Sequence, residues 1–122
     1  MNDRLPLPYV VMLCAYALGL AGGQMLFKSV ALRMPPGMPL LQSLLTLLQN
    51  WQFFAAIVIY LLLTIVWVWI LRVVPLSRAY PFVALAFAFA PLLGCVWFGE
   101  PLPVRLLAGI AIILCGLSLV AV

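Results

Sequence analysis

Gln24 and Lys28 stand one helical turn apart in an otherwise apolar stretch of this 122-residue chain. Residues four apart on a helix share a face, so an amide and an ammonium would project together. Farther along, Tyr60 falls in the middle of a long apolar run and Tyr80 opens the next one. Glu100 lies between runs and is the only acid besides Asp3, while Arg33 and Arg78 close or open apolar stretches. An ionisable group inside a membrane segment is costly and marks a functional site by default. Lys28, near the end of its predicted helix, has the alternative of snorkelling to the interface. Gln24 has less freedom, because an amide at that depth needs hydrogen-bond partners. Tyr60 and Tyr80 divide evenly between a substrate wall and a packing or interfacial role.

What the apolar runs lack narrows the chemistry further. No carboxylate lies inside any of them. A proton-coupled exporter of cations needs a buried acid, whose raised pKa lets it alternate between proton and substrate. Cations at helix ends suit an anion instead, such as a phosphate carrying a polar group. The chain has no histidine, and Cys14, Cys95 and Cys115 show no metal-ligand or redox spacing, so neither a metal nor a cofactor is expected. No nucleophile and base are set together, which argues against an enzyme. The net charge of +4 is scattered rather than clustered, which argues against nucleic acid and for contacts with membrane lipid phosphates.

These side chains must be held by very hydrophobic elements. The composition is 69% hydrophobic and 7% charged, and the charges are separated by long apolar gaps. A crossing of about 30 Å of hydrocarbon takes about 20 apolar residues, and helix is the form that satisfies its own backbone there. The chain therefore reads as a single all-α domain over residues 1–122, a polytopic membrane protein with four transmembrane helices. The spans are placed at Pro8–Phe27, Trp51–Leu71, Ala79–Phe98 and Val104–Val122. Met34-Pro-Pro-Gly-Met-Pro39 cannot be helical throughout. After it, Leu40–Asn50 sets Gln42, Ser43, Thr46, Gln49 and Asn50 against leucines, the pattern of a short interfacial helix; a longer, tilted second span is the alternative. Val73–Arg78 and Gly99–Pro103 are tight turns, and Pro91 is expected to kink the third span.

Two features point to more than one chain. Arg4, Arg72 and Arg78 fall on one side of the membrane and Lys28, Arg33 and Arg105 on the other, so the positive-inside rule barely orients the protein. In the last span Gly109 and Gly116, seven apart and flanked by Ala108 and Cys115, form a narrow seam of small residues. Such seams drive helix association in lipid, either between chains or within one. Gly19 and Gly23 make a second close-approach pair in the first span.

Several strings carry a resemblance. Val74-Pro-Leu-Ser-Arg-Ala-Tyr-Pro81, Phe98-Gly-Glu-Pro-Leu102 and Gly109-Ile-Ala-Ile-Ile-Leu-Cys-Gly116 resemble three signatures of the drug/metabolite transporter superfamily and its four-helix, small-multidrug-resistance-like branch. The register holds over nearly the whole chain, apart from a longer Met34–Asn50 segment. Small multidrug exporters carry an essential glutamate in the first helix; aligned on Lys28, that position here is Leu20. Tyr60 matches their substrate-facing tyrosine, but Val83 replaces their third-helix tryptophan and Leu85–Phe87 their glycine-rich bend. Gly23-Gln24, Lys28, Ala79-Tyr80-Pro81 and Glu100-Pro101 are instead similar to the subunits that flip aminoarabinose-phosphoundecaprenol.

The resemblance implies a flippase in the bacterial inner membrane, working as a homodimer or with a related chain. Its substrate would be a polyprenyl-phosphate-linked sugar or similar anionic lipid, moved from the cytoplasmic to the periplasmic leaflet. Lys28 would meet the phosphate, with Arg78 or Arg33 receiving it at the membrane faces. Gln24 and Tyr80 would bond the headgroup, and Tyr60 would wall the groove. Glu100 would take an amino-sugar cation or cap its loop against Arg105. A small-molecule exporter and a non-transporting subunit of a heterodimer are the other readings.

Overall fold

The computed structural model describes residues 5–121, so Asp3, Arg4 and Val122 lie outside the described residues. Seven helical segments follow one another: α1 Leu7–Leu32, α2 Leu40–Leu48, α3 Trp51–Leu71, α4 Leu76–Ala79, a 3-10 stretch Tyr80–Ala84, α5 Leu85–Phe98 and α6 Val104–Ala121. The described residues contain no strand. Three helical runs are long and apolar enough to cross a membrane: α1, α3 and the run Leu76–Phe98; α6 is apolar but shorter. This is a helical membrane protein.

Local sequence explains most boundaries. Pro8 is tolerated in the first turn of α1, where its missing N–H would be unbonded in any case. The helix then runs on through Lys28 to Leu32, a turn past the expected end at Phe27, because a charge does not break a helix and Pro35 does. Lys28 is thus one turn inside α1 rather than at its end. The amphipathic α2 buries none of its residues, and Leu40, Leu41, Leu44, Leu45 and Leu48 are all exposed. Asn50 caps α3 by accepting a hydrogen bond from the Gln52 N–H at 2.8 Å.

The third crossing starts earlier than Ala79, at Leu76, and its irregularity is not where Pro91 alone would put it. The 3-10 stretch Tyr80–Ala84 has Pro81 in its first turn, while α5 continues through Pro91. Gly99, at a φ of 67°, closes α5 in the left-handed region, which a glycine enters without steric cost.

The core is apolar and small. Leu13 and Ala17 on α1 meet Ile70 and Val74 from the end of α3, together with Ala79, Phe82, Leu85 and Leu117. Gly19 and Gly23 let α3 come close: a Cβ on Gly19 would sit 3.0 Å from Leu63, and one on Gly23 would sit 2.7 Å from the Tyr60 ring. Because α1 and α3 run in opposite directions, Lys28, Arg33, Glu100 and Arg105 gather at one end of the bundle. Arg72 and Arg78 gather at the other.

Candidate functional site

Four of the singled-out side chains come together at the Lys28 end. Tyr60 Oη donates to the Leu20 carbonyl oxygen at 2.9 Å and accepts from Gln24 Nε2, also at 2.9 Å. Phe27 stacks on the Tyr60 ring, with centroids 5.3 Å apart and planes 8° from parallel. Gly23 makes room for that ring. The tyrosine hydroxyl is therefore used within the bundle, and it holds the Gln24 amide with its Oε1 left to accept.

Lys28 Nζ lies 3.4 Å from Glu100 Oε1, the one ion pair among the described residues, with both side chains a little under half exposed. Glu100 thus meets Lys28 rather than Arg105, correcting the loop-capping expectation. Its position is set by the end of α5: the Glu100 N–H donates to the Gly94 carbonyl at 3.3 Å, and Glu100 Oε2 lies so near Gly94 that a Cβ there would be only 2.8 Å from it. Only a glycine at 94 lets the carboxylate fold back against the helix. Gly94 and Phe27 were not flagged by the sequence, because their roles appear only once helices are packed. The F-G-E string was the available signal for Gly94, since the left-handed Gly99 turns the chain back toward it.

Two cavities open beside this pair. One of about 210 Å³ is lined by Gln24, Met25, Lys28, Ala90, Gly94, Phe98 and Glu100. A larger one of about 640 Å³ includes Leu20, Gln24, Val83, Phe87, Pro91 and Glu100 in its lining. Leu20 and Val83 both line this space. Its polar side chains are Gln24 and Glu100, so the groove is an apolar trough with an amide on its wall and an ion pair at its mouth. A third cavity, of about 430 Å³, puts Gln24 beside Tyr60 and Thr64 on the α3 side.

The other expected residues lie elsewhere. Tyr80 is exposed and meets Trp67 edge-on at 6.3 Å; Trp67 in turn stacks on Tyr16 at 5.0 Å. Tyr80 and Arg78 belong to the far end of the bundle and do not join Gln24. Arg33 caps the C-terminus of α1 and is exposed, one turn beyond Lys28. On α6, Ala108, Gly109 and Gly116 are exposed, and a Cβ on either glycine would meet nothing within 4 Å. That seam is not used for packing inside the chain. No group of His, Cys, Asp and Glu suited to a metal occurs among the described residues.

Comparison with known proteins agrees with the resemblance read from the sequence. The chain is 34% identical over 70 residues to a probable 4-amino-4-deoxy-L-arabinose-phosphoundecaprenol flippase subunit ArnF of Proteus mirabilis (strain HI4320), covering 56% of this chain and 53% of that one. It is also 34% identical over 64 residues to the protein of the same description from Photorhabdus laumondii subsp. laumondii, covering 51% of each. The chain is similar to aminoarabinose-lipid flippase subunits. It spans about half the length of these curated relatives. No protein-family model matches it, and no solved structure does.

Proposed function

We propose that this protein is a flippase, or a subunit of one, that moves a polyprenyl-phosphate-linked sugar or similar anionic lipid across the bacterial inner membrane, from the cytoplasmic to the periplasmic leaflet. The observation that carries the reading is the Lys28–Glu100 pair at the mouth of an apolar groove with no carboxylate deeper inside. The names of the two relatives support it.

A phosphate dragged bare through hydrocarbon would cost many kcal/mol, as any unpaired charge does. In the proposed mechanism the lipid tail stays in the bilayer and only the headgroup enters the groove. Lys28 exchanges its carboxylate partner for the phosphate, a charge-assisted contact of the same sign and strength. Gln24, held in place by Tyr60, offers Oε1 to a hydroxyl or ammonium of the sugar. Glu100, released from Lys28, takes a cationic substituent where the sugar has one. A second chain, identical or related, would complete the groove by docking on the Ala108–Gly109–Gly116 face of α6.

The experiment is reconstitution of the wild-type chain and Lys28→Ala into vesicles with a labelled polyprenyl-phosphate sugar. The wild type should flip it, alone or with a related chain. Lys28→Ala should lose at least tenfold in rate while inserting normally. Undiminished flipping by Lys28→Ala would remove Lys28 from the phosphate site.

A further inference from the structure

The far end of the bundle carries a cavity that the groove does not use. The first turns of α1 supply Pro8, Tyr9 and Met12, the last turn of α3 supplies Trp69, Ile70 and Arg72, and Val73 closes a space of about 450 Å³. Its side-chain polar groups are the Arg72 guanidinium, the Trp69 indole N–H and the Tyr9 hydroxyl. None of the three makes a hydrogen bond to another described side chain or to described backbone. Among the described residues no carboxylate lines the cavity, and Glu100, the only acid among them, belongs to the opposite end.

We infer that this cavity binds the phosphate of a membrane lipid, with Arg72 as the principal ligand. Arginine presents a planar fork of donors that matches phosphate oxygens two at a time, and it is less strongly hydrated than lysine. Tyrosine and tryptophan beside it belong to the belt where such rings sit at headgroup level. Depth agrees: Lys28 lies nineteen residues beyond Tyr9 on α1, a rise of about 28 Å, close to the thickness of the hydrocarbon. If the Lys28 pair lies near one headgroup layer, Arg72 lies near the other.

The walls select a lipid over free phosphate. Pro8, Met12 and Val73 offer apolar surface that a tail covers and that an inorganic anion leaves bare. The site stands whether or not the Lys28 groove carries lipid, and its test is separate from the flipping assay.

The full chain, solubilised in mild detergent, is titrated with phosphatidylglycerol and followed by native mass spectrometry. The wild type should retain one lipid most tightly. Arg72→Gln should weaken that binding at least fivefold and Tyr9→Phe about two- to threefold, whereas Arg105→Gln, at the opposite end of the bundle, should leave it unchanged. Millimolar inorganic phosphate should not displace the lipid. Should Arg72→Gln fail to insert, Arg72→Lys keeps the charge without the fork and should bind two- to threefold more weakly. Equal retention by wild type and the Arg72 variant that inserts would reduce the cavity to ordinary annular lipid. Displacement by inorganic phosphate, or equal loss in Arg105→Gln, would likewise overturn the assignment.

Discussion

The two sides of α1 are built on opposite plans. Against α3, Gly19 and Gly23 admit Leu63 and Tyr60 to van der Waals contact or closer, and Phe27 stacks on the tyrosine. Against α5, the same helix leaves cavities of about 210 and 640 Å³, with Gln24, Lys28 and Glu100 among their walls. One seam is tight and internally bonded; the other is open and charged. In the proposed function α1 presents a cation to a mobile ligand, and such a helix cannot also shift against its neighbour. The tight seam fixes the register on which the open one depends, and the Tyr60–Gln24 hydrogen bond joins the two.

Substitutions at neighbouring glycines should separate these plans most clearly. Gly23→Val puts branched carbon where even a Cβ is 2.7 Å from Tyr60. Overpacking of this kind costs about 1–3 kcal/mol, and thermal unfolding in detergent should show it as the largest loss of stability in the chain. Gly22→Ala, next to it, meets nothing within 4 Å, and removing a helical glycine should stabilise by up to about 1 kcal/mol. If the two variants melted alike, the α1–α3 seam would not be the rigid one.

Tyr60→Phe keeps the ring and removes two hydrogen bonds. Each is worth about 0.5–1.5 kcal/mol net in water, and nearer 0.6 kcal/mol within a membrane, so unfolding should move by about 1 kcal/mol. Flipping should fall several-fold, because Gln24 loses its orientation. Gly94→Ala tests the open seam with a smaller effect on the fold. The new Cβ meets only the movable end of Glu100, so stability should change by less than about 0.5 kcal/mol. The carboxylate should nevertheless leave Lys28, visible as a changed salt dependence of substrate binding. Gly109→Leu bears on association rather than on the single chain: its site is open, so thermal unfolding of the monomer should rise by at most about 1 kcal/mol, as for any helical glycine replaced, while crosslinking between chains should fall.

How much of this was legible in the sequence follows the same division. Helix α3 is found at its expected limits, Trp51 and Leu71, because an uninterrupted apolar run between Asn50 and Arg72 leaves one solution. The break at the proline-rich segment was equally plain, since φ restriction is a local signal; the leucine spacing after it left a tilted longer span open, and the structure has the separate short helix. The Gly19–Gly23 approach was visible as spacing, though not that Leu63 and Tyr60 would fill it. The Lys28–Glu100 pair was not legible. It joins residues separated by most of the chain and depends on the left-handed turn at Gly99 and the missing side chain at Gly94. Tyr80 was drawn toward Gln24 by shared motif rather than geometry, and the fold puts it on Trp67 at the other end. The 3-10 stretch at Tyr80–Ala84 was overlooked for a related reason. Pro91 advertised a kink, whereas the irregular turn is the one that contains Pro81.

The central claim of the proposed function is that Lys28 and Glu100, although paired, are not equivalent: Lys28 binds the travelling phosphate, and Glu100 takes part in binding only where the sugar carries a cation. Flipping of a polyprenyl-phosphate sugar without an amino group, compared in Lys28→Ala and Glu100→Ala vesicles, tests this most directly. The account predicts at least a tenfold loss for Lys28→Ala and a rate within threefold of wild type, or faster, for Glu100→Ala. Equal losses in both would mean that the pair is a structural clasp, and the phosphate site would have to lie elsewhere.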